Sequence, residues 1–133
     1  MPFLGKRSLS HLSAGSWHLQ KVTQRAITKV DFSVIDCSRG KDAQNAAYDR
    51  GDSKAKWGES PHNVTPAQGI DFIPCPFYGW EDKDSFTQIK LAFQESVAEL
   101  IVENEIPNGF ELEYGVDWNF KDYGHIEIKG WNL

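Results

Sequence analysis

Two of the chain's 4 histidines lie where a turn can carry a carboxylate to them. His62 opens "HNVTPAQGID", which closes on Asp71 at the head of an apolar run, "DFIP". His125 ends "DYGH", three residues after Asp122. A catalytic zinc ion takes three protein ligands from His, Asp, Glu or Cys and keeps a further position open. His62 and Asp71 can supply two ligands from a loop and the strand after it, and His125 a third from the start of another strand. Asp122 then offers a carboxylate able to take a proton from water at such a metal without itself being a ligand. Gly124 is expected to give the D-x-x-H turn its backbone freedom. The plainer reading of each pair is a solvated loop rich in Pro, Gly, Asn and Thr, and spacing alone leaves both readings open. Cys75, between prolines in "PCP", is a weaker candidate ligand than Asp71, because its neighbours favour a packed turn. His11 and His18 have no acidic residue nearby in sequence and read as surface or packing histidines.

The elements that must position these residues follow from periodicity. Leu19, Val22, Ala26 and Val30 recur at helical spacing. "DFSVID", Asp31 to Asp36, alternates as a strand, with Phe32, Val34 and Asp36 set against Ser33 and Ile35. Gly40 to Gly51 reads as a short helix closed by a glycine, residues 52–68 as loop, and "GIDFIP" as a second strand. Asp84 to Glu105 carries the apolar stripe Phe86, Ile89, Phe93, Val97, Leu100 and Ile101, ended by Pro107, Asn108 and Gly109. "FELEYG" and "HIEIKGW" alternate as two further strands joined by "VDWNFKDYG". This order predicts an α+β fold, one small, mainly antiparallel sheet with helices packed on one side. Period-two alternation puts Glu127 on the face of His125, as a supporting carboxylate rather than a catalytic one, and Asp117 is read with the same caution. Trp57, Trp80 and Trp118 could line a groove, although core packing is the reading for Trp80.

Bulk properties narrow the class. At 133 residues the chain, 1–133, is expected to form one domain with a core of its own. A net charge of -5, from 14 basic and 19 acidic residues, argues against a nucleic-acid binder. Cys37 and Cys75 match neither a disulfide framework nor a zinc knuckle and read as free thiols. No apolar stretch is long enough to span a bilayer, and "MPFLGKRSLSHLS" has too small an apolar block for a signal peptide. The expectation is a monomer made in the cytoplasm, whose work beyond a membrane depends on release by another factor.

Taken together, Ser-x-His, an Asp opening an apolar strand, and Asp-x-x-His near the C-terminus resemble a family of zinc peptidases. That family comprises D-alanyl-D-alanine carboxypeptidases and dipeptidases and the L-alanyl-D-glutamate endopeptidases used as phage endolysins. The resemblance runs from about Leu19 to Ile128. The family's Ser-x-His-x-x-Gly-x-Ala-x-Asp signature falls on Ser60, His62 and Asp71, with a His-to-Asp interval two residues longer and Gly69 where alanine is usual. "CSRGKDAQNAAYDRG" is similar to the family's arginine and Gln-containing helix, although an aromatic residue or histidine more often precedes the arginine. "YGVDWNFKDYGHIEI" is similar to its Gly-x-Asp-Trp and Asp-x-x-His-Phe-Glu segment.

The resemblance implies the small α+β fold shared with the Hedgehog signalling domain. It implies zinc held by His62, Asp71 and His125, Asp122 as general base, and Arg39 binding substrate or steadying developing negative charge. Ser60 and Trp118 would line the substrate groove, with a loop cap as the alternative for Ser60 and a surface ion pair as the alternative for Arg39. The implied substrate is the peptidoglycan stem peptide. Its L-alanyl-D-glutamate bond is favoured because "HNVTPAQGIDFIPCP" is similar to the phage branch. A D-alanyl-D-alanine carboxypeptidase and a non-catalytic binding domain of the same fold are the alternatives. The missing export signal fits an endolysin that waits in the host cytoplasm for a membrane pore.

Overall fold

A computed structural model describes residues 2–132. Its helices are α1 (Lys6–Leu12), α2 (Trp17–Ala26), α3 (Lys41–Asp49) and α4 (Lys83–Val102), and its strands β1 (Phe32–Asp36), β2 (Gly69–Pro74), β3 (Leu112–Tyr114) and β4 (His125–Ile128). The strands form one antiparallel sheet in the order β1-β2-β4-β3. Among the described residues, no helix is long and apolar enough to cross a membrane.

Alternation along the strands divides the sheet into two unlike faces. Phe32 and Val34 of β1, Ile70 and Phe72 of β2, Tyr114 of β3 and Ile126 of β4 are buried in the core. Against them α4 lays Phe86, Ile89, Phe93 and Leu100, and α2 lays Leu19, Val22 and Ala26. The residues between, Asp71 on β2 and His125 and Glu127 on β4, project from the opposite face. Asp71 pairs with His125 in the β2–β4 register, so two of the candidate ligands are cross-strand neighbours.

Several expectations are corrected. The register slips between Val34 and Asp36, which brings Asp36 opposite Asp71. This bulge moves Asp36 off the face of Phe32 and Val34 and onto the face of Asp71. Helix α2 begins at Trp17, where the Ser16 hydroxyl accepts from the Leu19 N–H, and ends at Ala26 rather than running to Val30. Helix α1 was not expected; it buries only Ser8 and Leu12, too few positions to leave a periodic signal. The loop 52–68 holds a 3-10 turn at Pro61–Asn63. Trp80 is not a core residue: it is 51% exposed, with its ring stacked on Phe86 at 6.1 Å between centroids.

Candidate metal centre

His62 comes from the 3-10 turn, Asp71 from the middle of β2 and His125 from the first residue of β4. Each offers one ligand atom, and these atoms lie within 4.8 Å of one another. Among the described residues they are the one such group of His, Cys, Asp or Glu. Local chemistry fixes each arm. A capping box sets the turn: the Ser60 hydroxyl accepts from the His62 N–H at 3.2 Å, and the Asn63 side chain accepts from the Ser60 N–H at 3.2 Å. A Cβ on Gly69 would stand 2.9 Å from Cγ of Pro61 and 3.2 Å from Cε1 of His125. The turn and the ligand therefore close over a position that admits no side chain. Gly124 has the same kind of reason and not the one expected. It is absent from the left-handed glycines, while a Cβ there would meet the Phe72 carbonyl oxygen at 2.5 Å. The D-x-x-H segment is a tight turn, closed by His125 N–H donating to the Asp122 carbonyl at 3.1 Å.

The donor set fits a cation. His62 Nδ1 lies 2.7 Å from the Cys37 carbonyl, which can only accept, so Nδ1 carries a proton and Nε2, 3.3 Å from Asp71 Oδ1, is the nitrogen left to meet a further proton or a metal ion. His125 Nε2 lies 2.8 Å from Glu127 Oε1 and its Nδ1 lies 2.9 Å from the same Asp71 oxygen. Two donors bound to zinc at about 2.0–2.1 Å in a tetrahedral arrangement stand roughly 3.3 Å apart, close to these separations. Each ring is oriented by an oxygen at its outer nitrogen, as ligating histidines require. Both rings are buried. Electrostatics run the same way. Burial opposes ionisation of Asp71, but the two histidines overcome it and hold its carboxyl far below the usual carboxylate range. Burial likewise opposes charge on His125, yet hydrogen bonds to Asp71 and Glu127 hold its imidazole at about 10. The group is built to carry positive charge at its centre, whether protons or a metal ion.

Around it lies a polar network whose contacts join distant segments. Arg39 donates from Nε and Nη2 to Asp36 Oδ2, from Nη2 to Asp71 Oδ2 at 3.1 Å, and from Nη1 to Gln44 at 3.1 Å. Its guanidinium thus buttresses a candidate ligand. Gln44, fully buried on α3, accepts from Arg39 and Asn63 and donates to Ser53 Oγ at 2.9 Å and the Ala55 carbonyl at 2.7 Å. All four of its hydrogen-bonding positions are used. Trp131 donates its indole N–H to Glu127 at 3.0 Å, fixing the carboxylate that orients His125. These partners come from distant segments, so no local pattern announces them.

A cleft of about 670 Å³ opens on the group, lined by Arg39, Ser60, Trp118, Asp122 and Trp131 among others. Trp118 packs on His125 at 5.4 Å and on Phe120 at 5.3 Å. Burial raises the Asp122 carboxyl above its ordinary value, with His125 pulling the other way. Ser60 faces the cleft as well, but its hydroxyl is already the acceptor for His62 N–H. The remaining candidates stay outside the group. His18 packs between Trp17 and Phe110, Asp117 pairs with Lys90, and Cys75 contacts Ser33. Cys37 is a buried free thiol pushed up to about 12, chiefly by burial.

Comparison with known proteins places this geometry. The phage L-alanyl-D-glutamate peptidase family matches residues 1–131. Among solved structures, that of the Serratia marcescens L-Ala D-Glu endopeptidase ChiX is similar. The TM-score is 0.75 at 23% identity, over 96% of this chain and 90% of that one, a likeness of fold. No curated protein matches the sequence significantly. The family match covers nearly the whole length and the solved relative has the same α+β architecture, so the chain belongs to the phage L-alanyl-D-glutamate peptidase family.

Proposed function

We propose that this chain is a zinc endopeptidase that cuts the L-alanyl-D-glutamate bond of the peptidoglycan stem peptide and serves as a monomeric phage endolysin. The observation that carries the reading is the convergence of His62 Nε2, His125 Nδ1 and Asp71 Oδ1 at the foot of a cleft that Asp122 also lines. When bound, zinc supplies Lewis acidity to the scissile carbonyl and to the attacking water. The chain's own groups do the rest. His62 and His125 present lone pairs whose direction is fixed by Cys37 and Glu127. Asp122, its proton affinity raised by burial, takes a proton from the attacking water and delivers it to the D-glutamate nitrogen as the C–N bond breaks. Arg39 gives four hydrogen bonds to Asp36, Gln44 and Asp71; it steadies Asp71 from the wall of the cleft, where its charge also faces the substrate. Ser60 holds the turn of His62, and Trp118 walls the groove. The enzyme would meet the wall from inside, once the host membrane has been opened.

Digestion of purified peptidoglycan, with mass analysis of the fragments, tests this. Cutting should create L-alanine carboxyl and D-glutamate amino ends, stop under chelation and return with added zinc. Release of terminal D-alanine alone would make the protein a carboxypeptidase. Zinc-loaded protein that cuts nothing would be a binding domain.

A further inference from the structure

We propose that a second lobe of the cleft, walled by Trp80, receives the sugar side of the substrate, the muramyl residue acylating L-alanine; this rests on the peptidase reading above. The second lobe has a volume of about 780 Å³ and shares Arg39, Asp71, Lys121 and Asp122 with the first. A bond cut where the lobes meet leaves substrate on both sides. Those sides differ chemically: L-alanine leads to an uncharged sugar ring on a polymer, whereas D-glutamate leads to a peptide carrying free carboxylates.

The lobes differ to match. In the first, the tryptophans are half-buried and tied to the site. Trp118 packs on His125 and Phe120, Lys54 lies over the Phe120 ring at 4.9 Å, and Trp131 is bonded to Glu127. The Lys54 ammonium there suits a carboxylate, whereas Arg50 and Lys121, which line the second lobe, are paired with Asp52 and Glu81. In the second, Trp80 is held but not covered. Phe86 stacks on its ring at an interplanar angle of 13°, Phe77 meets it edge-on at 5.1 Å, and 51% of the residue remains exposed. A ring fixed in orientation with free surface is a platform for the C–H faces of a sugar. Small residues of α3, Ala43 and Ala47, also line the lobe. Phe77, 41% exposed and edge-on to Trp80, extends the apolar surface beyond the lobe, as a glycan longer than the cleft would need. A contiguous exposed apolar ledge beside a site marks an interaction surface.

The test uses two substrates with the same peptide. One carries the disaccharide through muramic acid on L-alanine, and the other carries only an N-acetyl group there. In Trp80→Leu, which keeps an apolar cover on Phe86, and in Trp80→Ala, the ratio of kcat/KM for the sugar-bearing over the acetylated substrate should fall about three- to tenfold, the scale of an aromatic contact. An unchanged ratio in both variants overturns the subsite, provided wild-type protein cuts both substrates. Wild-type protein that cuts neither overturns the peptidase reading and this proposal with it.

Discussion

Adjacent residues of β2 belong to two regions that obey different rules. Phe72 enters an aromatic cluster with Phe32 at 5.8 Å and Phe93 at 5.7 Å. Asp71 enters a polar cluster with His62, His125 and Arg39. Dispersion contacts in the first are many, weak and undirected, so a neighbour can shift to recover part of a loss. In the second, contacts are few and directed, and a missing partner leaves a buried polar group unsatisfied. Stability should therefore concentrate on the core face, and chemistry on the other.

The sharpest break of that contrast comes from the site. His125→Ala should lose zinc and activity together, measured by metal analysis of the purified protein. Asp122→Ala should keep zinc while turnover drops about 10²–10⁴-fold, the usual worth of a positioned acid–base group. Turnover that survives both changes would remove the chemistry from this face altogether. On the core face, Phe93→Ala should cost about 3–5 kcal/mol in denaturant unfolding, while zinc stoichiometry per folded molecule stays intact. If it instead released zinc from folded protein, the two faces would not be separable.

How much of this was legible depends on how far apart the partners lie in sequence. The strands β2 and β4 and the stripe of α4 could be read because burial repeats every two residues or every three to four. The candidate ligands could be read because Asp71 heads the apolar run "DFIP", although the strand begins earlier at Gly69, and His125 opens β4. Asp36 was assigned to the wrong face because a bulge adds one residue without any mark in "DFSVID". Trp80 was assigned to the core because an aromatic residue's type says nothing of whether its other face is covered. The resemblance singles out a Gln-containing helix but not the contacts of Gln44, whose partners Arg39, Ser53, Ala55 and Asn63 only the fold assembles.

Gln44 makes an intermediate case, a buried residue on the polar side that touches no ligand directly. Gln44→Leu keeps much of the volume but strips partners from Arg39 and Asn63. Arg39 then holds Asp71 less firmly, and zinc affinity, read by competition with a chelator, should weaken by about tenfold, the low end for residues that support ligands. Unchanged affinity with lowered stability would make Gln44 a fold residue and no more.

The smallest effect is expected where charge is most abundant. Between α2 and α4 and the turns that follow them, Arg25 forks to Glu103 and reaches Glu99, Lys29 bonds Glu95 and Glu99, and Lys21 pairs with Glu105. These pairs sit at the surface, where water and salt screen them and ordering long side chains offsets the attraction. Arg25→Ala should shift Tm far less than Phe93→Ala, and less again at high salt. The sign of its pH dependence is fixed by the carboxylates. Hydrogen bonds from Lys29 and Arg25 lower Glu99, and the bond from Arg25 lowers Glu103. A carboxylate lowered on folding stabilises above its unfolded value, about 4.3 for Glu, and loses that contribution as pH falls through its folded one. The Tm gap between wild type and Arg25→Ala should thus be present at neutral pH and close on acidification below the ordinary glutamate range. A gap that stayed open there would mean that the Arg25 stem, packed between the helices, matters more than its charge.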